Sequence, residues 1–306
     1  MSIVLIGSSP TWTSVAKALS KAARCEKSVL LFGETGTGKD LAARRIHELS
    51  PRRLSPFVAI NCSNLPDGLF ESELFGHARG AFTGAIRDKC GLLDEAGTGT
   101  IFMDEIGELP FHLQAKILRL LDKKESRKIG ATKTRIIQAR FIFATNRDLL
   151  VNVREGRFRK DLYYRINVVQ VRIPPLRERR EDIPDLAKYF VDRENMRTGA
   201  RRTISKEALI KLRTYDFPGN VRELENIIER ALVFSEHDQI AEEDICFDLE
   251  NVLTKTELTR GHLAQVLEQC RWNKSRAALI LGKSRRQLYR LLEKYRMDDC
   301  IRKMVF

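Results

Sequence analysis

Apolar residues in the first 170 positions fall in short, nearly unbroken runs: "SVLLF" (28–32), "FVAIN" (57–61), "TIFMD" (100–104) and "RFIFAT" (140–145). A strand that is apolar on both faces belongs in a parallel sheet covered on both sides. Between the runs lie helical patterns. One is "HLQAKILRLLDKK", which puts Leu113, Ile117, Leu120 and Leu121 on a single face. The alternation predicts an α/β doubly wound domain, with parallel strands and helices on both faces, over residues 1–172. Past "VVQVRIPPL" the strand pattern stops. "REDIPDLAKYFVDREN", "SKEALIKLRTY" and "VRELENIIERALVF" repeat with helical period, the last through Leu224, Ile227, Ile228, Ala231 and Leu232. They predict a small all-helical unit over 173–246. A polar link, 247–257, then leads to terminal helices over 258–306. The first of these, with Leu258, Leu263, Val266 and Leu267, is expected to pair with its copy in a dimer.

Composition narrows the picture. The 306 residues are 43% hydrophobic and 31% charged, and the longest apolar runs are far too short to span a bilayer. No basic segment followed by a long apolar stretch opens the chain, so secretion is not expected and a cytoplasmic location is. The six cysteines are scattered without C-x-x-C spacing, which argues for reduced thiols and against zinc. The net charge of +13 is concentrated at one end: from Thr254 onward thirteen Lys or Arg face five Asp or Glu. A basic helical segment of this kind favours an anionic partner.

The chemistry begins at "GETGTGKD", residues 33–40 (Gly33, Glu34, Thr35, Gly36, Thr37, Gly38, Lys39, Asp40). Following a strand and preceding a helix, this is a phosphate-binding loop. Its glycines let backbone N–H groups face phosphates, and Lys39 reaches the β and γ oxygens of ATP. Asp40 stands where Ser or Thr usually offers Mg²⁺ a hydroxyl. At the end of "TIFMDE", Asp104 can hold Mg²⁺ and Glu105 can polarise the attacking water, which implies hydrolysis and not binding alone. Asn146 ends the next strand and can orient water or the γ-phosphate. Arg159 and Arg165 in "GRFRKDLYYRINV" supply positive charge of the sort that a neighbouring subunit often contributes to a phosphoryl transition state. Arg222 follows a Pro-Gly-Asn turn at a helix start.

Two further stretches ask for a partner. "GAFTGA" (Gly80, Ala81, Phe82, Thr83, Gly84, Ala85) sets one large apolar side chain in a glycine-rich loop. Near the end, "NKSRAALILGKSRRQLYRLL" reads as two short helices. The first, starting near Lys274, stops at Gly282, and Ser284 caps the second. Such a pair suits a helix-turn-helix, whose second helix would bring Arg285, Arg286, Gln287 and Arg290 to DNA.

Taken together these motifs resemble the sigma-54-dependent transcriptional activators, the bacterial enhancer-binding proteins of the AAA+ class. The likeness runs from about Ile6 to the C-terminus through "VLLFGETGTGKD", "INC", "ESELFGHARGAFTGA", "LLDEAGTGTIFMDEIGELP", "LQAKILRLL", "RFIFATNRDL", "GRFRKDLYYRINV", "PPLRERREDI" and "PGNVREL", ending in a Fis-type helix-turn-helix. The resemblance implies an ATPase core with a helical lid, using ATP and Mg²⁺. It makes Asp104 and Glu105 the metal and catalytic carboxylates and Asn61 a switch that holds Glu105 away from water. Asn146 and Arg222 become sensors, and Arg159 and Arg165 reach into the adjacent subunit of a ring, normally a hexamer. Residues 80–85 would touch sigma-54 of the RNA polymerase holoenzyme, and the terminal helices would bind double-stranded enhancer DNA in the nucleoid. An acidic residue after Lys39 is usual in this family. Phe217 replaces the Trp common before Pro-Gly-Asn, with an aromatic retained.

Two other classes share parts of this pattern. A repressor with a vestigial nucleotide site has no need of Lys39, Asp104, Glu105 and both arginines together. An AAA+ helicase or helicase loader has no reason to carry "GAFTGA". Only about thirty residues precede Gly33, far fewer than a sensory domain needs, so control in trans by a regulatory protein is the expectation.

Overall fold

A computed structural model of the chain describes residues 5–63, 67–235 and 237–247, and beyond these Leu263, Val266, Leu267, Cys270, Lys274, Ala277, Leu288 and Leu292. Two compact units divide the chain, Met1–Ile245 and Cys246–Phe306.

In chain order the first unit opens with helix α1 (Pro10–Ala23), strand β1 (Val29–Phe32), α2 (Lys39–Glu48), β2 (Phe57–Asn61), α3 (Asp67–Phe75), α4 (Leu92–Ala96) and β3 (Thr100–Asp104). It continues through α5 (Phe111–Lys123), β4 (Glu125–Arg127), β5 (Thr134–Ile136), β6 (Arg140–Thr145), α6 (Leu149–Arg154), α7 (Lys160–Ile166) and β7 (Val169–Arg172). The lid follows as α8 (Ile183–Thr198), β8 (Thr203–Ile204), α9 (Lys206–Thr214), α10 (Asn220–Phe234) and β9 (Gln239–Ile240).

Five strands form one parallel sheet in the order β2-β3-β6-β1-β7. The unbroken apolar runs sort by alternation into two cores. Leu30, Ile101, Met103, Phe141 and Phe143 face α3, α4, α5 and α7. Val29, Leu31, Phe102, Ile142 and Ala144 face α1 and α2. Both faces are therefore dry, as the runs require. Because the strands are parallel, their carboxyl ends share one edge, and Gly33, Asn61, Asp104 and Asn146 meet there.

Three elements were not apparent from the apolar runs. Helix α1 is capped by Ser9, whose side chain accepts from Trp12 N, and buries Trp12, Val15, Leu19 and Ala22. Its C-terminal carbonyls at Ala22 and Ala23 accept from the guanidinium of Arg140, 2% exposed, at 2.6 and 3.1 Å. A cation at that end complements the helix dipole. Strands β4 and β5 make an antiparallel hairpin beside α5. The helical lid also contains a two-residue parallel ladder, β8 with β9. Ladders this short leave no periodicity to read.

In the second unit Leu263, Val266, Leu267, Cys270, Ala277, Leu288 and Leu292 are all buried. The stripe expected to pair with its copy is thus already covered at Leu263, Val266 and Leu267 in the single chain; Leu258 lies outside the described residues. Among the described residues no helix is long and apolar enough to cross a membrane.

Candidate active site

Backbone conformation builds the phosphate loop. Gly36 and Gly38 have φ of +78° and +94°, the left-handed region where glycine carries no penalty. Gly38 turns the chain into α2, and a Cβ there would meet nothing within 4 Å. Lys39 is 7% exposed, and its Nζ donates to the carbonyls of Gly33 and Glu34 at 3.0 and 3.2 Å. Burial draws the Lys39 pKa down, opposed by the charges of Glu105 and Asp104. A buried amine held only by loop carbonyls, facing the N-terminus of a ten-residue helix, fits an ATP polyphosphate. Asp40 is exposed in the first turn of that helix.

The carboxylates stand at the end of β3, where Asp104 pairs in register with Asn61 of β2. Glu105 leaves the strand in the left-handed conformation, φ 52° and ψ 46°, a strained arrangement for a side-chain-bearing residue. It re-aims the Glu105 carboxylate towards β6, where Oε2 accepts from Asn146 N at 3.4 Å. Asn146 in turn donates through Nδ2 to Thr35 Oγ1 at 3.0 Å, tying β6 to the phosphate loop. Burial raises the pKa of both Asp104 and Glu105, against the lowering effect of Lys39. Asn61 lies alongside, but its Oδ1 accepts from Ser63 N and Oγ at 2.8 and 2.7 Å, and no hydrogen bond joins it to Glu105. Cys62 is buried behind the pair, and burial pushes its thiol far up, leaving it unreactive. Among the described residues no cluster of three His, Cys, Asp or Glu surrounds a metal position. One or two carboxylates with phosphates and water is the usual Mg²⁺ shell, and Asp104, with Asp40 nearby on α2, fits it.

The lid closes on this loop. Arg177 grips Glu34 with both terminal nitrogens, and Asn220 Nδ2 donates to Glu34 Oε2 at 3.1 Å. Amides of Val221 and Arg222, at the start of α10, donate to Gly36 O at 3.0 and 3.3 Å. The hydrogen bonds from Arg177 dominate the Glu34 carboxyl and, against the opposing effect of burial, bring its pKa to about 2. A group held below its ordinary 4.5 stabilises the fold above that pH and loses the contribution as pH falls towards 2. The melting-temperature difference between wild type and Glu34→Gln is therefore expected to be flat above about pH 5 and to shrink below it. A difference that persists unchanged to about pH 3 would show that the Arg177 contact does not set it. Sequence reading assigned Glu34 to the loop but missed its partners Arg177 and Asn220; the asparagine after Pro-Gly was their one local signal.

The two arginines expected to act in trans are engaged away from the nucleotide loop. Arg159 pairs with Asp161 and lies over the Phe111 ring. Arg165 pairs with Asp122 at 3.0 Å and donates to Leu121 O at 2.9 Å, at the end of α5. The 80–85 loop sits apart from the nucleotide edge. Gly80 and Gly84 have φ of +79° and +104° with open space around them, and Gly80 N donates to Ala85 O at 2.8 Å. Phe82 is 45% exposed, in edge contact with His77, and Thr83 is exposed while Ala85 is buried. Ala81 lies against Gly130 at the hairpin tip, where an added Cβ would come within 2.7 Å of it. Lys274 is helical and partly exposed; Ser284, Arg285, Arg286, Gln287 and Arg290 lie outside the described residues.

The profile of the Sigma-54 interaction domain matches residues 5–172, that of the AAA+ ATPase lid domain residues 177–261, and that of the Fis family of bacterial regulatory proteins residues 257–295. The chain belongs to the family of sigma-54-dependent activators. Response regulator protein PilR of Pseudomonas aeruginosa is 43% identical over 96% of the chain, and regulatory protein AtoC of Escherichia coli 43% over 96%. The Nif-specific regulatory protein of Azotobacter vinelandii is 42% identical over 94%. The activator chain spans 70%, 68% and 58% of these relatives' respective lengths. The crystal structure of NtrX from Brucella abortus in complex with ATP matches it with a TM-score of 0.74 at 30% identity, over 95% of this chain and 69% of that one. The chain therefore carries a sigma-54 interaction domain with an ATPase lid and a Fis-type DNA-binding unit.

Proposed function

We propose that this chain is the ATP-driven motor of enhancer-dependent transcription, opening promoters held by the sigma-54 RNA polymerase holoenzyme. ATP binds with Mg²⁺ at residues 33–40. Asp104 holds the metal, and Glu105 polarises the water that attacks the γ-phosphate. Asn146 and Arg222 sense the phosphate, and Asn61 restrains Glu105 through a contact made in another nucleotide state. Subunits assemble into a ring in which Arg159 and Arg165 complete the neighbour's site. The terminal helices anchor the assembly to enhancer DNA through Lys274, Ser284, Arg285, Arg286, Gln287 and Arg290, which places the protein in the cytoplasm at the nucleoid.

The observation that carries this reading is the half-exposed Phe82 on a loop hinged by two left-handed glycines, within a complete ATPase. A Phe left half-exposed, with the edge of His77 against its ring, is explained when it is the surface offered to sigma-54. The test is ATP-dependent open-complex formation at a sigma-54 promoter, with a sigma-70 promoter as control. Thr83→Ala is expected to retain ATPase activity and lose open-complex formation. Wild-type levels of open complex from Thr83→Ala would remove the loop from the contact.

A further inference from the structure

Asn220 is fully buried and carries a φ of +54°. Its side chain ties its own turn to two other segments. Oδ1 accepts from Leu176 N at 2.8 Å at the root of the lid, while Nδ2 donates to Glu34 Oε2 at 3.1 Å and to Thr35 O at 3.0 Å in the phosphate loop. The turn beneath it is locked from the lid side: Glu223 accepts from Gly219 N at 2.7 Å and from the Tyr215 hydroxyl at 3.0 Å. Lid and loop also meet without clearance, since a Cβ at Gly36 would stand 2.2 Å from Gly219 O.

The bond to Thr35 O bears on phosphate recognition. The Thr35 carbonyl and the Gly36 N–H share one trans peptide plane and point in opposite directions. Drawing the carbonyl towards Asn220 turns the Gly36 N–H away from the lid, into the cradle where loop amides meet phosphate. A residue needed only to tolerate the left-handed turn would be glycine, which adopts φ near +54° without strain. Asn adds one acceptor and two donors, and the structure uses all three.

We infer that Asn220 is a positioning residue for ATP: it sets the peptide between Thr35 and Gly36 so that the loop amide faces the phosphates, and it docks the lid in the register that brings Arg222 to the site. The inference rests on the reading of residues 33–40 as the ATP site. It makes the lid a determinant of nucleotide affinity through a residue that does not touch the nucleotide.

The full chain is titrated with a fluorescent ATP analogue, and steady-state turnover is measured alongside. Lys39→Ala marks complete loss of binding. Asn220→Gly keeps the backbone conformation and removes the three side-chain bonds. It is expected to raise the Kd and KM for ATP about tenfold, the equivalent of about 1.4 kcal/mol, with kcat at saturating ATP changed by less than about threefold. Asn220→Asp keeps the bond from Leu176 N but sets a carboxylate against Glu34, so it weakens binding further. Adding Glu34→Gln to that variant reverses the donor and acceptor and is expected to recover affinity towards that of Asn220→Gly. If Asn220→Gly does not fold, the Asn220→Asp pair carries the same test. Unchanged Kd in a folded Asn220→Gly protein, or no recovery in the double variant, overturns the positioning role. Failure of the wild-type protein to bind the analogue would instead overturn the ATP-site reading and the inference with it.

Discussion

Replacing Glu105 with Gln is expected to lower ATP turnover by about 10²–10⁴-fold, the range for loss of a general base, while ATP still binds. The expectation follows from where the residue stands. Strand β3 delivers Asp104 to the carboxyl edge of the sheet, and the left-handed turn at Glu105 swings its carboxylate to Asn146, which is itself bonded to Thr35 of the phosphate loop. Burial raises its pKa, which brings the base closer to the pH at which it must accept a proton. The base works deprotonated, so wild-type turnover should begin to fall on acidification at a pH above the ordinary carboxylate value. Gln keeps the size of the side chain and the bond from Asn146 N, so Kd for ATP should stay near wild type. Single-turnover hydrolysis and equilibrium binding separate the two effects. Turnover within a few-fold of wild type would take Glu105 out of the reaction.

Arg165→Ala is expected to cost about 10³–10⁵ in turnover, the range for an arginine supplied to a phosphoryl-transfer site in trans. The loss should be repaired by a second inactive protein. In its own subunit Arg165 is anchored to Asp122 and Leu121 O at the C-terminal end of α5, and Arg159 to Asp161. Neither pairs with Asp104 or Glu105 of the same chain. Under the proposed ring, an Arg165→Ala subunit keeps an intact nucleotide site, and a Glu105→Gln subunit keeps an intact Arg165. Mixing the two therefore creates interfaces with both parts present, and ATPase activity should reappear as subunits exchange. Silence in the mixture, with ring assembly verified, would place Arg165 in its own subunit's site. Full activity of Arg165→Ala alone would remove it from catalysis.

The centre of the sheet was legible because β1, β3 and β6 are buried on both faces, and such strands leave unbroken apolar runs that surface elements do not produce. Helices α5 and α10 were legible for the same reason in another period: each buries one stripe, Leu113 to Leu121 and Leu224 to Leu232. The hairpin β4–β5 escaped because only Ser126 of its first strand is buried, so no alternating apolar pattern marks it. In the site, Lys39, Asp104 and Glu105 are conspicuous because short motifs encode them. Arg177 and Asn220 are not, since each meets Glu34 from more than 140 residues away and only the closed fold brings them together. The same holds in reverse for Asn61. Its neighbours in sequence, at Ser63, claim its carbonyl oxygen, and the register of β2 on β3 sets it beside Asp104 without a bond to Glu105.

The bonds from Arg140 to the end of α1 span more than a hundred residues of chain. On the ribosome, the side chain that completes the C-terminus of α1 is synthesised 117 residues after Ala23. At 5–20 residues per second that interval is roughly 6–23 s. Through it the helix has its Ser9 cap but lacks Arg140 on its last carbonyls, and the sheet lacks β6 and β7, the two neighbours of β1. Fourteen residues are marginal for an isolated helix, so α1 reaches its full stability only when β6 arrives, long after its own synthesis.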